Sequence, residues 1–415
     1  MTSKTKTTAT KEEARPALVP KLRFPEFRDE GGWAERQLSE ITTAIFDGTH
    51  QTPTYTDEGV PFYSVENLVS GNANKFISWA DYEIATKKNK PEKGDVLITR
   101  IGKIGYSQVV TWSHDFSIYV TLAVIKKDGR FNSQFLHQFI QSALYQKEIF
   151  SKSLLSAVPC KINMDSLRAT HVFLASPAEQ QKIAECLSSV DALMGAQARK
   201  VDALKTHKKG LMQQLFPREG ETQPRLRFPE FQTAGEWEVK AVGDVFKVTR
   251  GEVLSMTLVK DETSREAPYP VYSSQTKSKG LAGYYSDYLY QDAITWTTDG
   301  ANAGDVNFRP GRFYCTNVCG VLINTDGQAN VCIAALLNSV TRGYVSYVGN
   351  PKLMNGVMAK IEIPFPPIEE QQRIADCLTS LDDLIAAQTQ RLAALKTHKH
   401  GLMQQLFPSP EEIEV

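Results

Sequence analysis

The chain has 415 residues, enough for two or three domains that each bury a core of their own. Hydrophobic residues make up 41% and charged residues 23%, as in soluble globular proteins, and no apolar stretch reaches the roughly 18 residues of a membrane span. Basic and acidic residues number 47 each, so the net charge of zero argues against a chain that binds a polyanion tightly by itself.

Residues 1–19 are polar and lack the apolar core of a secretory signal, so we predict a disordered leader. The cysteines form no Cys-x-x-Cys pair, which favours reduced thiols in the cytoplasm. Cys315 and Cys319 are four residues apart in a strand-like stretch, with no second ligand pair nearby. Buried small side chains are therefore a simpler interpretation than a metal, and no metal site is predicted.

Residues 20–175 are predicted to contain the first of two α+β domains. Its strand-like segments are rich in β-branched and aromatic residues and are bounded by turn residues. These segments are Val60–Val65, Val96–Ile101, Gln108–Trp112 and Tyr119–Ile125. Helical spacing of apolar residues follows over Phe131–Leu155.

Residues 176–217 are predicted to form a long helix. Ser176 and Glu179 make a capping box around Pro177, and Pro217 ends the segment. Apolar residues recur at alternating steps of three and four, with a glutamine in one gap, as in the seam of a coiled coil. The seam residues are Ile183, Leu187, Val190, Met194, Gln197, Val201 and Leu204.

Residues 218–365 are predicted to hold a linker and the second domain. Strands are expected at Pro270–Ser273, Ala293–Thr297 and Gly320–Ile323, and a helix near Val331–Val340. A second long helix at residues 366–408 precedes a short tail, residues 409–415. Its seam residues are Ile374, Leu378, Leu381, Ile385, Gln388, Leu392 and Leu395.

An internal duplication relates the two halves of the chain. Pro20–Phe27 recurs as Pro224–Phe231, two segments that we call the PEF motifs, and Glu179–Pro217 recurs as Glu370–Pro408 with 26 identities in 39 positions. The residues between these repeats share little. Repeated segments around dissimilar inserts indicate one scaffold that carries two different recognition domains. A duplicated enzyme would more often repeat its catalytic residues in both copies. The matching polar seam residues favour helices that pack on each other, and packing of each helix on its own domain alone stays an alternative.

Polar, glycine-rich loops in both inserts carry the side-chain types that read base edges and bind phosphates. Ordinary solvated loops are the alternative for each of them. Lys161 and Lys352 occupy matching places ahead of the two long helices, which suits a shared phosphate contact, with a salt bridge as the alternative. The other candidate DNA-binding residues are Thr49, His50, Gln51, Lys87, Lys88, Lys90, Arg100, Lys103, Ser273, Ser274, Gln275, Lys277 and Asn302.

Catalytic motifs are missing from the sequence. It contains no phosphate-binding loop, no Gly-x-Gly-x-x-Gly, no His-Glu-x-x-His, no adenine-methyltransferase tetrapeptide and no Pro-Asp start of a nuclease motif. His50 is the one histidine in a loop of interest, and a hydrogen-bonding role is favoured over catalysis. No catalytic residue is therefore predicted.

Several short motifs follow one another along the chain in a specific order. They are Asp47–His50 leading to Gly59–Phe62, Gly94–Gly102, Tyr269–Tyr272 with Asp299–Asn302, Pro366–Ile374 and Gly401–Phe407. Their order resembles the specificity subunits of type I restriction–modification systems. The resemblance covers nearly the whole chain after about residue 20, and one departure is Ser176–Glu179, where the family usually has a Pro-Pro-like run.

This resemblance implies two tandem α/β target-recognition domains separated by two long helices that form an antiparallel coiled coil with pseudo-twofold symmetry. Each domain would read one half of a bipartite site in double-stranded DNA. Two methyltransferase subunits would dock on the helices and two motor–nuclease subunits would join them, with no membrane partner. S-adenosylmethionine, ATP and Mg²⁺ would then belong to the partner subunits. The alternatives are a bifunctional DNA methyltransferase/nuclease and a coiled-coil adaptor without a DNA role.

Overall fold

A computed structural model describes most of the chain. The described residues are 18–72, 74–275 and 278–409. Most of the predicted leader, the tail after Ser409, and the candidate residue Lys277 lie outside them. Among the described residues, no helix has both the length and the apolar character needed to cross a membrane.

The chain folds into two compact units. Unit 1 comprises Met1–Gln197 and Arg391–Val415, and unit 2 comprises Ala198–Gln390. Two long helices, Pro177–Leu215 and Ile368–Leu406, each contribute one part to unit 1 and one part to unit 2. Each unit therefore combines the start of one long helix with the end of the other.

The strands of unit 1 form three small sheets. One is antiparallel with the order β2-β9-β6-β7, another has the order β3-β5-β4-β8 with β4 and β8 parallel, and β1 pairs with β10. The strands are β1 Ala34–Gln37, β2 Ile45–Asp47, β3 Tyr55–Thr56, β4 Val60–Tyr63, β5 Phe76–Ile77, β6 Val96–Thr99, β7 Ser107–Val109, β8 Ser117–Ile118, β9 Leu122–Ile125 and β10 His171–Leu174.

Short helices surround these sheets and close the core of unit 1. They are α1 Val65–Ser70, α2 Trp79–Thr86, α3 Ser133–Ile140, α4 Ala143–Ser151 and α5 Met164–Arg168. The rings of Trp33, Phe135 and Phe139 pack around Phe407, which follows the second long helix. All four side chains are buried, so the residue that follows the second long helix is part of the core of unit 1.

Unit 2 contains one six-stranded sheet with the order β12-β17-β15-β16-β13-β14, and β11 pairs with β18. Its long strand β16 is antiparallel to β15 and parallel to β13. The strands are β11 Glu238–Ala241, β12 Lys247–Arg250, β13 Tyr269–Tyr272, β14 Leu281–Tyr285, β15 Tyr290–Thr297, β16 Val306–Cys315, β17 Cys319–Ile323 and β18 Glu362–Phe365.

The helices of unit 2 are α7 Val242–Val245, α8 Val331–Val340 and α9 Asn355–Met358, with the long helices α6 Pro177–Leu215 and α10 Ile368–Leu406 shared with unit 1. The core of unit 2 includes Leu215 and Phe216 at the end of α6, and Ile374 and Leu378 near the start of α10. Both units thus use the end of one long helix and the start of the other in the same way.

Within each unit, the two long helices are joined by an ion pair. In unit 1, Asp191 of α6 binds Lys399 of α10 (2.7 Å), and in unit 2, Lys208 of α6 binds Asp382 of α10 (2.6 Å). Each pair joins the first half of one helix to the second half of the other. Every residue of the predicted seam is buried or half-buried.

The PEF motifs hold the start of each long helix. Arg23 donates to both carboxylate oxygens of Glu179 (2.8 and 2.6 Å), and Arg227 does the same to Glu370 (2.9 and 2.5 Å). Both carboxylates are about 1% exposed. The carboxylate of Glu179 therefore binds Arg23, where the sequence predicted a capping box, and Ser176 Oγ accepts only a long bond from Glu179 N (3.4 Å).

Several predicted elements differ in their bounds; for example, the strands predicted over Val96–Ile101 and Gln108–Trp112 are Val96–Thr99 and Ser107–Val109. The single helix predicted over Phe131–Leu155 is two helices, because Ser142 caps a new helix with a bond from Tyr145 N (3.3 Å). The strand predicted over Tyr119–Ile125 begins at Leu122, after a separate short strand. The strand predicted over Val60–Val65 ends at Tyr63, since Ser64 starts a helix.

Candidate nucleic-acid interface

Two loops of unit 1 leave the same edge of a sheet. Strands β2 and β6 are both antiparallel to β9, which lies between them, so their carboxyl ends meet at the start of β9. Loop A (residues 47–53) follows β2 and loop B (residues 100–105) follows β6. Thr49 N donates to Ile118 O (3.1 Å), which fixes loop A against the segment before β9. Loops A and B are therefore neighbours.

A third loop closes on loop B. Loop C (residues 154–161) is pinched at its ends, where Leu154 N donates to Lys161 O (2.7 Å). Gly102 N of loop B donates to Cys160 O of loop C (2.8 Å). Loops A, B and C of unit 1 thus form one connected surface, which we call cluster 1.

Unit 2 repeats this arrangement with other residues. Its cluster 2 consists of the equivalent loops A, B and C at residues 250–256, 298–304 and 346–352. Gly251 N donates to Cys319 O (2.9 Å), as Gly48 N does to Leu122 O (3.4 Å). Gly300 N donates to Pro351 O (3.0 Å), which matches the bond between loops B and C in cluster 1. The two clusters share one backbone framework.

Loop A needs glycine at the same place in both clusters. A β-carbon on Gly48 would overlap the carbonyl oxygen of Ile118, and one on Gly251 would overlap that of Cys315. Any other residue would push loop A away from the neighbouring segment. The short Asp-Gly-Thr-His motif is thus explained in part by packing.

The side chains of loop A in cluster 1 are held by a buried arginine. Asp47 Oδ2 accepts from Arg100 Nη1 (2.9 Å) and lies 3.0 Å from His50 Nε2. The side chain of Arg100 is 8% exposed, whereas that of His50 is 72% exposed. Burial lowers the pKa of Arg100, and the charge of Asp47 opposes that shift. Arg100 therefore stabilises loop A from the buried side, through its bond to Asp47. A direct contact of Arg100 with DNA stays a prediction.

The two other loop A candidates are close to His50. Thr49 Oγ donates to Gln51 O (3.1 Å), which ties the loop internally, and Gln51 is exposed. Thr52 Oγ lies 3.2 Å from the hydroxyl of Tyr119. Loop A thus presents His50 and Gln51 outward on a braced backbone.

The candidate lysines of loops B and C are exposed. Lys103 Nζ lies 5.2 Å from the ring centroid of Tyr106. Lys161 closes loop C and has no ion-pair partner among the residues that the structure describes, while Lys352 Nζ lies 3.7 Å from Asp299 Oδ1. Asn302 of loop B is half-buried. The structure thus shows a salt bridge for Lys352. Among the described residues it shows none for Lys161.

The lysine run before β6 is organised differently. Lys90 binds Asp115 (2.8 Å) and lies over the ring of Tyr82, and the bond to Asp115 raises the pKa of Lys90. Lys87 and Lys88 are exposed. Their described contacts do not join them to cluster 1, so a role in DNA binding stays a separate prediction.

Of the candidates after β13, Ser273 lies next to cluster 2. Ser273 Oγ accepts from Thr316 Oγ (3.0 Å), and Thr316 is bridged to Glu252 of loop A. Gln275 Nε2 donates to Leu281 O (2.5 Å), which restrains its amide, and Ser274 is half-buried. Ser273 therefore belongs to the surroundings of cluster 2.

Two supporting residues escaped the sequence analysis. Asp47 was recognised only as part of a motif, although it joins Arg100 to His50. Arg309 of β16 is 7% exposed, stacks 3.7 Å from the ring centroid of Tyr272, and donates to Lys279 O (2.6 Å). Burial lowers the pKa of Arg309. The sequence carried no signal for this role, since Arg309 lies in a mixed segment, Phe-Arg-Pro-Gly-Arg, that also contains the exposed Arg312.

The paired cysteines of unit 2 are buried in a small apolar cluster. Cys315 and Cys319 are 0% and 3% exposed, and burial raises the pKa of Cys319 to about 11. No group of histidine, cysteine and carboxylate side chains that could hold a metal is found within the described part of the chain. Cys315 and Cys319 are thus small core side chains in this structure.

Comparison with known proteins assigns the family. The model of the type I restriction modification DNA specificity domain matches residues 30–206 and 234–397, which contain cluster 1 and cluster 2. The chain belongs to the type I restriction–modification specificity family. As a DNA specificity subunit, it has two copies of the domain, and each copy contains one loop cluster.

Relatives of this specificity subunit match it to different extents. An N-terminal type I specificity subunit segment from Mycoplasma pneumoniae is 39% identical over 140 residues, which are 33% of this chain and 73% of that protein. The MjaX specificity subunit of Methanocaldococcus jannaschii is 24% identical over 401 residues, 90% of this chain and 92% of the relative. The crystal structure of the type I S subunit from M. genitalium has a TM-score of 0.64 at 14% identity, covers 94% of this chain, and shows a shared fold.

Proposed function

We propose that this specificity subunit is non-catalytic and that each unit reads one half of a bipartite DNA target through its loop cluster. The observation that carries this proposal is one backbone framework used twice with different side chains. The exposed residue that follows Gly48 by two positions is His50 in cluster 1, and the equivalent residue in cluster 2 is Val253, which is 80% exposed. Equivalent loops with different chemistry are suited to different base pairs.

The constant faces of α6 and α10 are proposed to bind two copies of one methyltransferase subunit. Leu193 and Leu384 occupy matching positions of the repeat and are 49% and 40% exposed. An identical exposed leucine on both helices suits identical partners, because each copy would meet the same surface. Leu193→Glu and Leu384→Glu should each remove one methyltransferase subunit from the purified complex, which mass photometry would measure.

We infer that the two helices form one antiparallel coiled coil that sets the distance between the half-sites. Its support is that every seam residue is buried or half-buried, and that in each unit an ion pair joins the first half of one helix to the second half of the other. Gln197 and Gln388 lie near the middle of the two helices, where a polar pair would fix the register. A heptad inserted into both helices should add about 10 Å, or about three base pairs, to the preferred spacer.

The cofactors are assigned to the partners in this proposal. S-adenosylmethionine would bind to the methyltransferase subunits, and ATP and Mg²⁺ to two motor–nuclease subunits, all in the cytoplasm. The neutral charge of the chain fits this division, since an assembly can supply the basic groups that hold the phosphates. Binding of DNA by the isolated chain should therefore be weak and become site-specific when the methyltransferase is added.

The test is to map modified DNA sites after the chain is expressed with its methyltransferase subunit. His50→Ala and Gln51→Ala should change or weaken recognition of one half-site only, while Val253→Ala affects the other. Glu58→Ala, an exposed change outside the clusters, is the control. Methyl transfer by the isolated chain would favour an enzyme, and recognition that ignores all cluster changes would favour an adaptor.

A further inference from the structure

The tips of loop C are apolar and exposed in both clusters. In unit 1, Leu155 is 57% exposed and Val158 is 100% exposed. In unit 2, Tyr347 is 68% exposed and Val348 is 93% exposed. Single exposed apolar residues are ordinary, but the same feature in two equivalent loops of different sequence indicates a binding surface.

The backbone fixes the base of each tip. In unit 2, Ser346 N donates to Lys352 O (2.8 Å) and Lys352 N donates to Ser346 O (2.9 Å), so residues 347–351 form the tip. In unit 1, the corresponding bonds between Leu154 and Lys161 enclose residues 155–160. Each apolar tip therefore begins beside an exposed lysine and next to loop B.

The difference between the two tips indicates what they bind. Residues 155–160 read Leu-Ser-Ala-Val-Pro-Cys, and residues 347–351 read Tyr-Val-Gly-Asn-Pro, one residue shorter. Two copies of one partner subunit would need the same surface in both units, as the repeated helices provide. A surface that differs between the units suits the component that also differs between them, which is the DNA sequence of the two half-sites.

We propose that the apolar tip of each loop C contacts the bases of its own half-site and recognises the methyl group of thymine. This inference rests on the proposed function. The aliphatic side chains of Leu155, Val158 and Val348 form no hydrogen bond with phosphate, and the C5-methyl group of thymine is the apolar group on the edges of base pairs in the major groove. The lysine at the base of the tip, Lys161 or Lys352, would bind a neighbouring phosphate and hold the tip in position.

The experiment uses the full chain with its methyltransferase subunit and the target found by modification mapping. Binding is measured on DNA in which deoxyuridine replaces thymine in one half-site, which removes only methyl groups. Loss of one contacted methyl should weaken wild-type binding about fourfold. The double variant L155S/V158S should bind normal DNA about as weakly and ignore deoxyuridine in its own half-site. The double variant Y347S/V348S should show the same behaviour for the other half-site, so each unit is the control for the other.

Three results would overturn this inference. Unchanged binding in both double variants would mean that the tips do not touch DNA, and a persistent deoxyuridine effect would mean that another residue reads the methyl group. Loss of the methyltransferase subunit from the variant complex would assign the tips to protein docking. If the wild-type complex itself modified no defined DNA sequence, the proposed function would fail first. Val239→Ser, at another exposed apolar residue of unit 2, controls for general surface effects.

Discussion

Units 1 and 2 place different side chains on equivalent backbone positions. Ile162 N donates to Arg100 O (2.9 Å) in unit 1, and Leu353 N donates to Thr298 O (2.9 Å) in unit 2. The arginine of unit 1 braces loop A, whereas Thr298 Oγ donates to Val318 O (2.9 Å). Because main-chain groups make the framework bonds, the side chains can change while the loops keep their places.

The sheets of the two units differ more than the loops. Strand β16 of unit 2 has ten residues and pairs with β15 on one side and with β13 on the other, so all six strands form one sheet. In unit 1 the corresponding strands β7 and β8 are separate, and α2 adds Tyr82 to a small core with Phe62 and Ile77. The main-chain bonds around the loop clusters are therefore the same in both units although the sheets differ.

The largest expected effects come from the buried ion pairs of the PEF motifs, whose surroundings differ between the two units. Trp237 Nε1 also donates to Glu370 (3.0 Å), whereas the indole nitrogen of Trp33 is buried without a partner among the described residues. Arg23→Ala would leave Glu179 buried without an opposite charge, which costs about 3–5 kcal/mol of unfolding free energy. Arg227→Ala should cost about 1 kcal/mol less, because Trp237 still donates to the carboxylate.

Chemical denaturation of the two variants measures this difference. Arg225→Ala is the matched control, since Arg225 is exposed in the same motif and should change stability by less than about 0.5 kcal/mol. Equal losses in the two arginine variants would contradict a stabilising role for the bond from Trp237.

Acid sensitivity is expected to distinguish unit 1 from unit 2. His137 of α3 is largely buried, and its Nδ1 lies 2.9 Å from Ser107 Oγ. Burial lowers the pKa of His137 to about 4. The charge of Lys399 adds to this shift, and the charge of Asp191 opposes it. The unfolded chain, with a pKa of about 6.5, binds this proton more readily. Stability should therefore fall as the pH is lowered from about 6.5 to 4, by about 3 kcal/mol at most.

His137→Gln is the variant that isolates this effect. It removes the titrating group, so the slope of stability against pH between 6.5 and 4 should decrease. The position equivalent to His137 in unit 2, counted from the caps Asn132 and Asn330, is Ala335. Thermal unfolding that shows the same pH slope in wild type and variant would remove His137 as the cause.

Trp33 and Trp237 occupy matching positions, and we expect a smaller difference in stability between their phenylalanine variants. Trp237→Phe removes a donor to a buried carboxylate and should cost about 1–2 kcal/mol more than Trp33→Phe, which removes a donor that has no described partner. Both variants delete a similar volume from a core, so the difference isolates the hydrogen bond. Denaturant midpoints that shift equally would show that Trp33 has a partner such as buried water.

The sequence predicted the two long helices well, because periodic apolar residues and the prolines near the helix ends are local signals. It placed the family through the order of short motifs. It did not predict that Arg100 would be buried under loop A, since the partner, Asp47, is 53 residues away. It also missed that Phe407 completes the core of unit 1, because that contact joins opposite ends of the chain.

The ion pairs between the long helices provide the smallest test. Asp191 accepts from Lys399 and also from Gln138 Nε2 (2.8 Å), whereas Asp382 accepts from Lys208. Both carboxylates are more than one-third exposed, so water and salt weaken the pairs.

Asp382→Ala should lower the free energy of unfolding by less than about 0.5 kcal/mol, and 1 M salt should abolish that difference from the wild type. Asp191→Ala should cost about 1 kcal/mol and keep most of it in salt, because the buried amide of Gln138 loses its acceptor. Unfolding at low and high salt separates the two, and equal salt dependence would mean that Gln138 contributes nothing.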